Sequence, residues 1–261
     1  MKLTYSRPAT LPFNIKYVQS GYYSDIYRTK KHEKSIIVKC MVASIKQNKE
    51  DVRLLKSVQR LVKGGICPHF PELYATFNIE TMRFKGIFGD GLATTSIDKR
   101  VKTGPALCIA MEDLGNRTLE NYINYRPDVI ELKQLLFQAY ISVYALQRYL
   151  NTAHGDLHFK NVIVVELDKP TTFVYTIDGK TYTINAPRYK AMVIDINGSD
   201  SSQMADISHL NSFIKSFVPD KWKQMGIDTK PRTLKKFFDA NFNRYKTNSK
   251  KYKNIKRYEF Y

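Results

Sequence analysis

The sequence predicts an α+β protein with a strand-rich first third and a more helical remainder. Three observations carry this. The short β-branched run Ile36-Ile37-Val38 and the apolar run Ala106–Met111 read as strands in the first part. Residues 131–150 carry Leu135, Leu136, Ala139, Val143, Leu146 and Leu150 on a wide apolar stripe, the mark of a long core helix. In the second half, Asp178-Gly179 interrupts the β-branched and aromatic stretch Phe173–Thr183, a strong two-residue hairpin signal.

In chain order, the polar stretch Lys30–Ser35 reads as a turn, and the strand after it ends at Lys39. From Glu50 to Val62, the residues Leu54, Leu55, Val58, Leu61 and Val62 recur at helical spacing, and Gly64-Gly65 stops that helix. The strand Ala106–Met111 leads into the polar stretch Glu112-Asp113-Leu114-Gly115. After the long helix come a polar loop, a strand over Val162–Val165, the hairpin, and a short buried strand Ala191–Ile194 that ends at Asp195. From Ala205 onward the chain reads as helices of modest length joined at Pro219, Gly226 and Pro231.

The 261 residues, 43% hydrophobic and 13% aromatic, suffice for one large domain or two joined lobes. Three cysteines, Cys40, Cys67 and Cys108, have no C-x-x-C spacing, which argues against a disulfide framework or thiolate zinc site and for a reducing compartment. Residues 1–17 are polar with no apolar signal core, and no stretch approaches the ~18 apolar residues that span a bilayer. A soluble intracellular protein without integral membrane association is therefore expected.

The net charge of +18 implies attraction to polyanions, and the charge is densest over residues 221–257. Tyrosines and phenylalanines interleave these cations, compatible with stacking on bases. A solvated basic face accounts for the same pattern.

Five polar residues stand where an apolar pattern would continue or has just ended: Lys39, Glu50, Asp156, Asn161 and Asp195. Glu50 shares a helical face with Leu54 and Val58, so its carboxylate needs a cation, and Lys39 is the nearest candidate in sequence. Exposure early in the helix, near Arg53, serves it equally well. Asp156 and Asn161 lie five apart on a loop, and Asp195 ends a strand one hairpin later. Carboxylate and amide oxygens suit a hard Mg²⁺ ion, and a further carboxylate can orient an attacking hydroxyl, as phosphoryl transfer requires.

The order of these parts, with His154-Gly155-Asp156-Leu157-His158-Phe159-Lys160-Asn161 as catalytic loop, resembles the eukaryotic-like protein kinase superfamily over about Val18 to Leu210. The resemblance implies a bilobal kinase-like fold in a single domain over residues 1–261. The N-lobe covers about residues 1–111, the hinge 112–115, and the C-lobe 116–261 with a compact activation segment. It implies ATP and Mg²⁺ as cofactors. Lys39 would hold the α- and β-phosphates with Glu50 orienting it. Gly21, Ile26, Met111, Glu112, Leu114 and Ile163 would meet the nucleotide, Met111 as gatekeeper and Glu112–Leu114 through the hinge backbone. Asp156 would accept or orient the substrate hydroxyl, and Asn161 and Asp195 would hold the metal. Asp206 would brace the catalytic loop, and His154 would buttress it.

The chain departs from that family in several places. The phosphate-covering loop Gln19–Ile26 keeps only Gly21 of its three glycines, and Ile37 crowds the adenine side. Asp195-Ile196-Asn197 stands for D-F-G, with Gly198 one place late. Gly155 replaces a common arginine, and almost no activation segment separates Asp195 from Asp206. Cys67–Tyr74 and Tyr175–Tyr182 resemble kinase-like proteins of large DNA viruses, which implies an atypical serine/threonine kinase in the host cytoplasm or with the virion. The H-G-D-L-H-x-x-N loop is also similar to small-molecule kinases of the aminoglycoside and choline type, and D-L-H to haspin-like kinases. A pseudokinase scaffold with a basic binding tail is the reading from outside catalysis.

Overall fold

The computed structural model describes residues 15–20, 24–31, 33–43, 45–79, 105–125, 128–169, 171–185, 187–198, 203–245 and 255–260. Its architecture is α+β, as the sequence predicts, and packs as two units. Residues 1–56 and 71–113 make the first; residues 57–70 and 114–261 make the second. Ser57–Phe70 thus pack with the second unit, although they lie well before residue 112 in the chain.

The first unit is an antiparallel sheet in the order β1 (Lys16–Ser20), β2 (Ser24–Lys31), β3 (Lys34–Val42), β5 (Ala106–Glu112) and β4 (Leu73–Ile79). The alternation of strand side chains gives it two different faces. Tyr27, Val38, Cys40, Cys108 and Ala110 form a buried cluster on one. On the other, Met41, Leu107 and Ile109 pack against Val52 and Leu55 of helix α1 (Lys46–Lys63).

Several boundaries move from those expected. Lys39 lies inside β3 and not at its end, because strand pairing with both β2 and β5 continues to Val42. The expected Lys30–Ser35 turn is shorter, since Lys30 already pairs with Ser35 and Lys31 with Lys34. Helix α1 begins at Lys46, four residues earlier than the apolar spacing indicates, because its first turn is polar, with Lys46, Gln47 and Lys49 exposed and Asn48 buried. It stops at Gly64-Gly65, where Ile66 N–H and Cys67 N–H both donate to the Leu61 carbonyl. Strand β4 was not expected; although Leu73, Tyr74, Ala75, Phe77 and Ile79 stand in it, its side chains are mostly exposed or half-buried.

In the second unit, α2 (Leu119–Asn124) is capped by Thr118, and α3 (Val129–Leu150) by Asp128, whose carboxylate accepts from Ile130 and Glu131 N–H. α3 is buried almost all round from Leu132 to Leu146, the core helix expected. Strand β6 (Val162–Glu166) pairs antiparallel with β9 (Tyr189–Val193). Between them β7 (Thr172–Ile177) and β8 (Lys180–Ile184) form the expected hairpin. Its two turn residues both have positive φ, 47° at Asp178 and 75° at Gly179, the left-handed pair of a type I′ turn that glycine adopts without strain. Helices α4 (Gln203–Phe217), α5 (Pro219–Met225) and α6 (Leu234–Asn241) follow.

The chain after Ala205 is not all helical. Ile255–Phe260 forms β10, parallel to β7, and Tyr258 stacks on Phe173 and Tyr175. Charged Lys256, Arg257 and Glu259 hide a strand in which Tyr258 is buried. The rings of Phe237, Phe238 and Phe242 are fully buried around Phe137 and Tyr140 of α3. These phenylalanines are core residues and not the base-stacking platform that interleaved aromatics suggest.

Candidate functional site

The loop His154–Asn161 is fastened from three sides within the second unit. Asp206, buried near the start of α4, accepts from the His154 N–H at 2.7 Å and the Gly155 N–H at 3.1 Å. Two backbone donors after α3 thereby find their acceptor in one carboxylate. Gly155 sits at φ 88°, a left-handed conformation that costs an arginine but not a glycine. Phe159 packs edge-on against Phe213 and Phe217 of α4, pinning the loop's far end.

His154 is fully buried. Its Nδ1 accepts from the Asp156 N–H at 3.3 Å, so its Nε2 carries the proton and donates to the Ile194 carbonyl at 2.9 Å. Burial holds its pKa below the ordinary histidine value, partly offset by that carbonyl and by Asp206, Asp156 and Asp195. Beyond Asp195 the backbone folds back: Asn197 and Gly198 N–H both donate to the His154 carbonyl. This neutral ring and its backbone thus tie the loop to the segment carrying Asp195.

The register of β6 and β9 places the oxygen donors. Val162 faces Val193, and the Ile194 N–H donates to the Asn161 carbonyl at 3.0 Å, so Asn161 and Asp195 leave the same end of the two-stranded ladder. Asn161 is buried and donates through Nδ2 to the Asp156 carbonyl at 2.9 Å, which leaves its amide oxygen for a cation. Asp195 is exposed at φ 54°, a sparsely populated conformation that aspartate tolerates better than most residues. The Asp156 carboxylate is 46% exposed, and His158 Nε2 lies 3.7 Å from it. His158 Nδ1 accepts from the Lys160 N–H, so its Nε2 is the protonated nitrogen facing Asp156. Among the described residues no three His, Cys, Asp or Glu side chains cluster to hold a metal. The donors at the end of this ladder are one carboxylate and one amide oxygen. Such a pair suits Mg²⁺, which keeps its remaining positions for water and phosphate oxygens.

Two residues that sequence reasoning did not single out hold β9 in place. The edge of β9 away from β6 would carry unpaired backbone groups. Gln138 of α3 covers them in part, accepting from Ala191 N–H at 3.0 Å and donating to the Tyr189 carbonyl. His69 does the rest: its Nδ1 donates to the Ala191 carbonyl at 2.9 Å, and its own carbonyl accepts from Val193 N–H at 2.7 Å. Its Nε2 accepts from the Tyr175 hydroxyl at 2.7 Å. Burial, then Lys190, hold His69 well below the ordinary histidine range, and burial raises the adjacent Cys67 thiol to about 12. The Cys67–Tyr74 motif, read from sequence as a family mark, thus begins with the anchor of the strand that delivers Asp195. Gln138 left a signal too, as a polar residue in the middle of an apolar helix.

In the first unit, Ile26, Lys39 and Ile109 face one another across β2, β3 and β5, as do Ile37 and Met111. Ile26, Lys39 and Met111 therefore belong to one sheet. Glu50 is 44% exposed and forms its ion pair with Lys46 at 3.6 Å. The expected Glu50–Lys39 pairing gives way to this intrahelical i,i+4 pair, which became available once the helix started at Lys46. The Glu112 carboxylate accepts from Glu72 N–H. Asp113, 6% exposed, accepts from Arg28 Nε at 2.6 Å and from Ser35 Oγ at 2.6 Å. Leu114 is half-buried and Ile163 is buried in β6. Gly21 lies outside the described residues.

No protein-family model matches the sequence. No curated protein matches it either. Among solved structures, a crystal structure of a kinase domain is similar at 15% identity with a TM-score of 0.40 over 70% of this chain. The match covers 49% of that chain, so the protein spans about half the length of the solved chain it resembles. Among the described residues, no helix is long and apolar enough to cross a membrane.

Proposed function

We propose that the protein is an ATP- and Mg²⁺-dependent phosphotransferase that moves the γ-phosphate to a hydroxyl, with serine or threonine of a protein as acceptor. The observation that carries this is the end of the β6–β9 ladder, where Asn161 and Asp195 leave side by side and Asp156 is tied to both through Asn161 and His154. Asp156 orients the acceptor hydroxyl and takes its proton as the oxygen–phosphorus bond forms and the bond to the ADP oxygen breaks. Asn161 Oδ1 and the Asp195 carboxylate hold Mg²⁺, which supplies charge neutralisation on the phosphate oxygens. His154, neutral and buried, keeps the geometry of all three. The role of Lys39 on the phosphates rests on the sequence resemblance alone.

The test is transfer of labelled γ-phosphate from Mg·ATP to a panel of acidic and basic proteins, run beside Asp156→Asn. Transfer to serine or threonine that disappears in the variant is the expected result. No transfer to any acceptor, together with no thermal stabilisation by millimolar Mg·ATP, would replace this reading with a non-catalytic scaffold.

A specific feature favours a second acceptor class. Only residues 196–202 separate Asp195 from the start of α4, which leaves little chain for a peptide-docking surface. Aminoglycosides, choline and nucleosides therefore belong in the same panel. Transfer confined to one of them would make the protein a small-molecule kinase with the same site.

A further inference from the structure

Beyond the phosphotransfer site, and independently of it, one piece of the second unit concentrates unpaired positive charge. Buried Asn241, at the end of α6, donates through Nδ2 to the Asp228 carbonyl at 2.8 Å, and its Oδ1 accepts the Asp228 N–H. It also donates to the Phe237 carbonyl of its own helix. Thr233 caps the other end of α6 through the Lys236 N–H. The loop Asp228–Thr233 is therefore clamped at both ends onto α6, and loop and helix form one fixed piece.

That piece carries Lys230, Arg232, Lys235 and Lys236, all exposed, and none has an ion pair among the described residues. Its two carboxylates do not neutralise them. Asp228 accepts from the Lys230 backbone N–H, and Asp239 is taken by Lys180 at 2.6 Å and by the Tyr182 hydroxyl. The large apolar residues of α6, Leu234, Phe237 and Phe238, are buried. The exposed surface of this piece is thus mainly charged and polar, with no exposed aromatic ring and no large aliphatic side chain beyond the half-buried Pro231.

We propose that the Asp228–Asn241 piece docks on the phosphate backbone of duplex nucleic acid. Several unpaired cations held on one rigid element fit a lattice of regularly repeated phosphates better than a single acidic side chain. The burial of every aromatic ring on α6 removes base stacking, so binding should ignore sequence and gain nothing from strand separation. The same burial leaves no apolar wedge for a bilayer.

The experiment uses the full-length protein and a fluorescent duplex of mixed sequence, titrated across a range of salt concentrations. The wild type should bind at low salt and weaken steeply as salt rises. The quadruple variant K230E/R232E/K235E/K236E should bind at least ~10-fold more weakly, with a log–log salt slope reduced by about 3–4. The charge-neutral K230Q/R232Q/K235Q/K236Q guards against effects of new carboxylates and should fall in between. Unchanged thermal unfolding shows that the variants fold, and unchanged phosphate transfer to a small acceptor shows that the site is intact. The proposal fails if the wild type does not bind duplex at low salt, or if the quadruple variant binds as the wild type does. It fails equally if single strands bind much more tightly than duplex. Equal binding to polyglutamate or to phosphatidylserine vesicles would reassign the surface to an acidic protein or to a membrane.

Discussion

The end of the β6–β9 ladder and the middle of the β2–β3–β5 sheet both carry candidate site residues, but they hold them differently. In the second unit each candidate is tied through backbone groups: Asp206 to the loop, His154 to Ile194, Asn161 to Asp156, and Gln138 and His69 to β9. Such ties depend on chain path more than on side-chain rotamers. In the first unit Lys39 stands in the middle of β3, in register with Ile26 of β2 and Ile109 of β5, and Glu50 lies on a helix with a rotatable, water-screened partner in Lys46. The comparison teaches that the second unit fixes its oxygen donors through backbone groups, whereas Glu50 in the first unit has only a side-chain ion pair that water screens.

The sharpest way to break that contrast is at Asp195. Asp195→Asn keeps a side chain that accepts positive φ while removing the carboxylate charge. Mg²⁺-dependent transfer should fall by ~10²-fold or more with an unchanged melting temperature. Retained activity would take the metal role away from this ladder. Next comes the brace: Asp206→Ala leaves the His154 N–H, at a fully buried residue, and the partly buried Gly155 N–H without their acceptor. That should cost about 2–4 kcal/mol in urea unfolding and lower activity as well. A loss below ~0.5 kcal/mol would show that the loop holds itself.

Acid tests both histidine anchors together. His69 and His154 have folded-state pKa values below the unfolded value near 6.5, so the unfolded chain binds more protons as pH drops. Their contribution is fully present above about pH 6.5 and is lost as pH falls from there toward the folded values, by up to ~1.4 kcal/mol per pH unit for each residue. Stability measured from pH 7 to 5 should decline, and His69→Gln should flatten the slope. A pH-independent wild type would show these rings to be solvated. The smallest effect is expected at Glu50→Gln, within about 0.5 kcal/mol of wild type in stability, as for other exposed ion pairs. Near-normal activity would confirm that the Lys46 pair is dispensable. A loss of several orders of magnitude would return Glu50 to a role at Lys39 and erase the contrast between the two units.

Much of the second unit was legible because its signals are local. An apolar stripe over 131–150, Asp-Gly in a β-rich run, and the spacing of Asp156, Asn161 and Asp195 each lie within a short window. What stayed hidden depends on partners far along the chain. The role of His69 requires β7 and β9, which are over a hundred residues away. Strand β4 is held by pairing with β5 about thirty residues further on, and β10 carries Lys256, Arg257 and Glu259, which mask its strand pattern. Glu50 was open to two readings for a different reason: its helical spacing with Leu54 and Val58 is real and Val58 is buried, but Leu54 and Glu50, nearer the start of the helix, stay half-buried, and exposure proves the better account.

Strand β7, Thr172-Phe173-Val174-Tyr175-Thr176-Ile177, is an uncharged run of β-branched and aromatic residues with hairpin partner β8 on one side only. Left open, its other edge would be a template for self-association. Strand β10 covers that edge and presents exposed Lys256, Arg257 and Glu259 in its place. The pairing joins residues about eighty positions apart in sequence and so closes late in folding. Until it closes, solubility depends on a segment nearly at the far end of the described chain. Replacing Tyr258 by a residue that cannot stack would reveal itself first as aggregation during expression rather than as lost chemistry.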